Sequence, residues 1–314
     1  MRHAWTIFLL VTMTSLVMVQ ADTSGSQPDT ITGQVGEAQL MSLLGEPLNV
    51  AAPSQESLRK LALARADYEV DPDNPDKLIW LGRRLAYAGD YRDAIKIFSK
   101  GIDKFPRDAR MYRHRGHRFI TVRDFGRAIK DLEYASKLVA GQPDTVEPDG
   151  LPNALNIPVS SLHTNIWYHL GLAYYLQQDW DNAWRAFQAG FLAGNNDDNR
   201  VSSTHWRYMI LRRMGREKEA AAVVAGITPD MEVIENHIYH RLCLFYGGRI
   251  TADEISDDDE DNPTNSAAAY GLANWALYNG DHAEGMRRMR ALLQSQSWAA
   301  FGYIAAESEV ASQH

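Results

Sequence analysis

Cys243 is the only cysteine in the chain, so no intramolecular disulfide can form and stability must come from packing. Basic residues are in the minority, 32 Lys and Arg against 40 Asp and Glu, for a formal net charge of −8. That balance argues against sequence-independent nucleic-acid binding, which needs a Lys/Arg surface to displace counterions. No uncharged apolar run reaches the roughly 20 residues of a membrane-spanning helix. The alternating pattern of strands is nearly absent from residue 55 onward. Enzyme signatures are missing too: there is no P-loop, no Gly-x-Ser-x-Gly elbow and no His-Glu-x-x-His helix.

What is present begins with an apolar stretch at residues 4–19, preceded by Arg2 and His3. Val19 and Ala21 stand where an export peptidase takes small residues. Residues 1–21 are therefore expected to be a cleaved signal peptide, making the protein periplasmic or secreted, with no membrane span in the mature chain. An uncleaved anchor is the alternative; a lipid anchor would need a cysteine at the cleavage site. Residues 22–54, rich in Thr, Ser, Gly, Gln and Pro, read as a mostly disordered tether. Leu43, Leu44 and Leu48 are the side chains in it able to dock on a folded body.

From residue 55 the texture is helical and repetitive. Leu81-Gly82 is followed by Ala94, Phe98 and Pro106; Gly116 and Ala128 each lie 34 residues after their counterparts. The texture returns at Trp167, Leu170, Gly171 and Tyr174, with Ala183 and Phe187 behind, displaced by 55 residues, or 34 plus an insertion of 21. Turn signals recur at Gly89-Asp90, Arg123-Asp124, Gln178-Asp179, Gly215-Arg216, Gly248-Arg249 and Gly280-Asp281. Two short antiparallel helices cannot bury their own apolar faces, so each hairpin stacks on the next. A small residue (Gly82, Gly116, Gly171) belongs where the helices of a hairpin cross most closely. Ala94, Ala128, Ala183 and Ala220 fill the matching place on the second helix, and Phe98, Leu132 and Phe187 plug the gap to the neighbour.

These residues resemble the tetratricopeptide repeat (TPR) family, whose Trp-x2-Leu-Gly-x2-Tyr signature stands at Trp167, Leu170, Gly171 and Tyr174. Further copies read Leu78, Leu81, Gly82, Leu85 and Tyr112, Gly116, Phe119, the latter with Arg115 where Leu is expected. Later copies depart further: Cys243 replaces Gly after Leu242, Ala273 follows Leu272, and Arg207-Tyr208 would hold the Leu-Gly places. The resemblance implies an all-α, right-handed α-solenoid over residues 55–314, with a disordered N-terminal segment ahead of it. Six helix pairs are expected at 75–108, 109–142, 164–197, 201–230, 234–255 and 266–297. Residues 56–70 form a leading helix and 297–311 a closing helix over the last apolar face. A Pro-rich insertion at 143–163 is expected to pack as an ordered loop, burying Leu151, Leu155, Ile157 and Val159. Residues 256–264, with five consecutive carboxylates, read as a solvated loop.

In such superhelices the first helix of each pair lines a concave groove. The resemblance places Arg83 and Tyr87 there from the first pair, and Arg110, Arg113 and His117 from the second. Tyr168 and Tyr175 follow from the third, His205 and Arg212 from the fourth, and His237 and His240 from the fifth. Arg, His and Tyr dominate this face while carboxylates are scarce, in a protein that is acidic overall. Arg grips carboxylates with paired hydrogen bonds and Tyr offers contact area at low entropic cost. The expectation is a scaffold or adaptor binding a protein or peptide partner through acidic or carboxylate groups, with no cofactor, metal or catalytic residue. Some TPR domains clamp the C-terminal carboxylate of heat-shock chaperones with a Lys/Asn/Arg set. Here Arg83 stands where Asn is wanted, and His114 and His169 replace other members. A self-associating envelope component is one alternative. Another is a metal-dependent enzyme using His114/His117 or His237/His240, each pair spaced to share a helix face. Cys243, in a packing place, reads as buried and inert.

Overall fold

A computed structural model describes residues 40–255 and 263–313; the signal segment expected at 1–21 and most of the acidic loop lie outside them. Among the described residues, thirteen α-helices follow a two-stranded antiparallel hairpin, β1 (Leu40–Met41) and β2 (Pro47–Leu48). The leading helix is α1 (Gln55–Val70). Hairpins follow as α2 (Pro75–Tyr87) with α3 (Tyr91–Lys104), α4 (Ala109–Thr121) with α5 (Phe125–Val139), and α6 (Leu162–Leu176) with α7 (Trp180–Ala193). Next come α8 (Asp197–Arg213) with α9 (Glu217–Val224), α10 (His237–Tyr246), α11 (Pro263–Tyr278) with α12 (His282–Leu292), and α13 (Phe301–Ala311).

Local chemistry sets these boundaries. Asn74, Asp108, Asp124, Ser161, Asp179, Asn196 and Asp281 each cap a helix by accepting a hydrogen bond from a backbone N–H of its first turn. The six turn signals all mark left-handed backbone: φ is +88° at Gly89, +70° at Gly215, +67° at Gly248 and +94° at Gly280. Arg123 at +65° and Gln178 at +58° hold the same conformation without glycine's freedom. The close approach within hairpins is equally direct. A Cβ built on Gly82 would stand 2.5 Å from the Phe98 ring, on Gly116 2.7 Å from Leu132, and on Gly171 2.6 Å from Phe187. The large residue thus lies over the glycine of its own hairpin, while its other side meets the next one: Phe98 stacks on His114 and Phe187 on Trp206. The chain is thus an all-α solenoid built from stacked helix hairpins.

The later units depart from the pattern. The fifth pair, expected at 234–255, has no second α-helix among the described residues. After α10 comes only a single 3-10 turn, Ala252–Glu254, and the sequence then runs into five consecutive carboxylates, whose mutual repulsion opposes continuation. With that layer thin, α11 reaches past α10 to touch α8, and α13 touches α6. The row of first helices therefore curls onto itself. Its centre, α8, is buried all round, with every residue from Val201 to Leu211 shielded.

Two expected features take a fuller part in this closure. The closing helix α13 does more than cap the last hairpin: besides α11 and α12 it packs on α6, where Ser308 Oγ donates to the Leu176 carbonyl at 2.6 Å. The described part of the expected 22–54 tether, from Leu40 on, is folded onto the body. Leu48 is buried against Trp298 and Tyr303, and the Trp298 indole donates to the Asn49 carbonyl at 2.7 Å. Leu43 and Leu44 remain partly exposed. The insertion at 143–163 is also not what apolar content suggested: Val159 is buried, but Val146, Leu151, Leu155 and Ile157 are 63, 70, 64 and 48% exposed.

A buried ion pair fastens the closure. Arg123, from the α4–α5 turn, donates from Nη2 to Glu307 of α13 at 2.6 Å and to the Trp298 carbonyl at 2.8 Å. Glu307 also accepts the Leu43 backbone N–H at 2.5 Å. Both side chains are almost wholly enclosed, at 3% and 1% exposure. Glu307→Ala would strand the guanidinium without its counter-charge, so an unfolding free energy lower by about 3–5 kcal/mol is expected in urea titrations.

Candidate functional site

The inner helices bring together some of the expected groove residues and separate others. Arg83 and Tyr87 of α2 meet Arg113 and His117 of α4 around a cavity of about 100 Å³, together with Ala86, Phe98, His114 and Arg118. Its lining holds three guanidiniums and no carboxylate. Tyr168 of α6 joins Arg113 and His117 in an adjoining pocket of about 340 Å³, whose walls include Thr164, Asn165, Asn199, Ser202, Ser203 and Phe301. Arg113 and His117 thus belong to both spaces.

The remaining expected residues serve elsewhere. Arg110 is neutralised by Asp108 at 2.6 Å and Asp76 at 2.5 Å. Tyr175 is buried, its hydroxyl 2.7 Å from that of Tyr270, with Asn274 donating to it at 3.0 Å. His205 is buried against the rings of Tyr239 and Tyr246. Arg212 bonds the Tyr278 carbonyl and Asn279 and lies 4.5 Å over the Tyr278 ring, far along the row. His240 Nε2 is 2.8 Å from the Thr228 carbonyl, in the α9–α10 connection, whereas His237 is exposed. The two i, i+3 histidine pairs therefore do not converge: His114 faces Glu147 while His117 lies on His169. Among the described residues no three His, Cys, Asp or Glu side chains are grouped to hold a metal ion. Cys243 is buried, its thiol directed at the Val201 carbonyl, and burial raises its pKa far above the ordinary thiol range.

Three contributors escaped the spacing rule: Arg118, Glu147 and Phe301. Arg118 is half-buried beside the Tyr91 ring, and no carboxylate among the described residues pairs with it. Loss of water around it pulls its pKa down to about 10, so it stays charged at neutral pH. Phe301, at the start of α13, closes the chamber against His117 at 5.3 Å and His169 at 5.6 Å. Glu147 comes from the insertion and is the acid that contacts Arg113 and His114. Its carboxylate is 3.2 Å from Arg113 Nε and 3.2 Å from His114 Nε2, and accepts from Asn165 Nδ2 at 2.8 Å. Arg113 Nη1 donates to His114 Nδ1 at 2.8 Å, which places the imidazole proton on Nε2, facing Glu147. Arg113 Nε nevertheless lacks an acceptor in line, a buried orphan N–H of the kind that costs about 1–3 kcal/mol.

The histidines around this chamber are neutral. Burial, then the positive charge of Arg113 or Arg118, holds His114, His117 and His169 well below the usual imidazole range, and burial alone takes His205 to about 3. Folded pKa values below the unfolded 6.5 mean the unfolded chain protonates first on acidification. The stability they contribute is complete above pH 6.5 and is lost as pH falls from there toward the folded values. Each such histidine is expected to remove of order 1.4 kcal/mol per pH unit below 6.5. Urea midpoints measured from pH 7.5 to 5 check this, and a flat profile would contradict the neutral assignments.

No known family profile matches the chain, and no curated protein does. Solved structures do resemble it. YrrB, described as a TPR protein with an unusual peptide-binding site, is 12% identical, covering 74% of this chain and 91% of its own, with a TM-score of 0.42. TTC0263, a thermophilic TPR protein of Thermus thermophilus, is 15% identical over 71% of this chain and 91% of its own, at 0.38. The TPR domain of P58(IPK) is 17% identical over 83% of this chain and 71% of its own, at 0.29.

Proposed function

From this stack of tetratricopeptide-type hairpins around a positively charged chamber, we propose that the protein is a non-catalytic scaffold that holds a protein or peptide partner through the partner's acidic groups. One observation carries the reading: Arg83, Arg113 and Arg118 line a single small cavity, and among the described residues only Arg113 of the three has an ion-paired carboxylate, Glu147, in a chain of net charge −8. Guanidiniums gathered in one cavity repel one another and lose part of their hydration, and an anionic group entering between them relieves both costs. Desolvation makes each such contact stronger than at an open surface. The neighbouring pocket, walled by amide, hydroxyl and aromatic side chains with Glu235 at one place, suits the backbone and polar flanks of an extended segment.

Affinity capture from the native compartment tests this. Wild type is expected to recover a partner whose cross-linked segment is rich in Asp and Glu, and Arg118→Glu or Arg83→Glu to reduce its recovery roughly tenfold or more, since each turns attraction into repulsion. Equal recovery by both variants would remove the chamber from consideration.

Export belongs to the same proposal, supported by Arg2 and His3 ahead of the apolar residues 4–19 and by Val19 and Ala21 behind them. N-terminal sequencing of protein isolated from the periplasm or medium is expected to begin at Asp22; recovery only in the cytosolic fraction would overturn it.

A further inference from the structure

The insertion between α5 and α6 is attached to the chamber in an unusual manner. A loop held by apolar burial would hide its Leu, Ile and Val side chains, yet four of the five between residues 146 and 159 are 48% exposed or more. What holds it is polar and exchangeable. Arg83 donates to the Pro148 carbonyl at 2.8 Å, Arg84 to the Gly150 carbonyl at 3.1 Å, and Asn199 to the Val159 carbonyl at 2.9 Å. Its carboxylate contact with the chamber is Glu147 on Arg113 and His114. Two residues on, Asp149 lies near enough to Arg83 to feel its charge. Residues 145–149, Thr-Val-Glu-Pro-Asp, are thus an acidic segment laid on the cationic face.

We propose that this segment is a ligand bound in cis: it occupies the place of the partner and displays the partner's chemistry. The partner segment is then extended and acidic, with one carboxylate on Arg113 and His114 and a second, two residues later, facing Arg83. It binds by displacing the insertion. The imperfect fit of the resident supports displacement, because Glu147 leaves Arg113 Nε without an aligned acceptor. A partner free of the loop's constraints can present both carboxylate oxygens squarely to the guanidinium. The tether sets a threshold for exchange, since a segment on a short linker competes at a roughly millimolar effective concentration.

This inference rests on the chamber being the acidic-ligand site, and the experiment separates the two. A fluorescent synthetic peptide of residues 143–151 is titrated into wild type, Glu147→Gln and Arg84→Ala, beside a control peptide in which Glu147 is Gln. Arg84→Ala releases the Gly150 carbonyl and leaves the chamber intact, so it serves if Glu147→Gln fails to fold. The acidic peptide is expected to bind Glu147→Gln roughly tenfold or more tighter than wild type, the scale of one charge-assisted hydrogen bond. Arg84→Ala gains severalfold, and the control peptide binds all three weakly. Added peptide should also accelerate amide exchange across residues 143–161 of wild type. Equal affinity for all three proteins, with the control still discriminated, would overturn displacement and leave the acidic site standing. No discrimination between the peptides, or no binding at all, would overturn both.

Discussion

The Arg123–Glu307 pair converts an open stack into a closed one. Hairpins that cover one another's apolar faces leave the first helices of each pair lining a trough. Here that trough is shut by α13, whose Glu307 reaches across to the α4–α5 turn and also ties down Leu43 near the start of the described chain. Three stretches far apart in sequence meet at one carboxylate. A pair this enclosed contributes less through its own attraction than through the penalty of separating it, since either charge alone would remain in a dry interior. The left-handed backbone of Arg123 belongs to the same device: glycine, easiest at φ +65°, would supply the turn but not the guanidinium.

Closure changes the chemistry of the residues inside. On an open helix face, His114, His117 and His169 would titrate near neutrality and Arg118 would be an ordinary solvated cation. Enclosed by Phe301 and the insertion, the imidazoles stay neutral while Arg118 keeps its charge, because an arginine is much harder to deprotonate than a histidine. The result is a region whose cations are permanent and whose neutral rings act as hydrogen-bonding and stacking surfaces. Glu147 compensates part of that charge from the insertion, with Asn165 orienting it.

The repeat itself was legible in the amino-acid sequence. Gly82, Gly116 and Gly171 are small because Phe98, Leu132 and Phe187 lie upon them, and all six turn positions read as turns adopt positive φ, including the two without glycine. Legibility fades at α8 because a helix buried on every side has no polar face to reveal its register; Tyr208, in the place of a glycine, stacks instead on Tyr246. Arg83, Tyr87, Arg113, His117 and Tyr168 line the chamber because α2, α4 and α6 follow a regular stack. Tyr175, His205 and Arg212 lie away from it, since the groove rule assumes an open trough, and the thin fifth unit lets α11 and α13 fold over that part of the row. Glu147 could not have been placed at all. It sits in a loop whose path depends on Arg83 and Arg84 reaching its carbonyls, which no periodicity encodes.

Two pieces of the chain occupy the inner face, and their attachments differ in kind. α13 buries Ile304, Ala305, Ala306 and Val310 together with an ion pair that is almost wholly enclosed, so removing it would expose apolar surface and an unpaired charge at once. The insertion buries only Val159 among its large apolar side chains and is otherwise held through carbonyls, amides and one carboxylate, groups that water or another chain can match. Contacts that a competitor can reproduce are reversible at little cost, whereas burial that nothing replaces is not. The same trough is therefore closed permanently on one side by α13 and exchangeably on the other by the loop, and it is on the exchangeable side that the cavity's arginines lie.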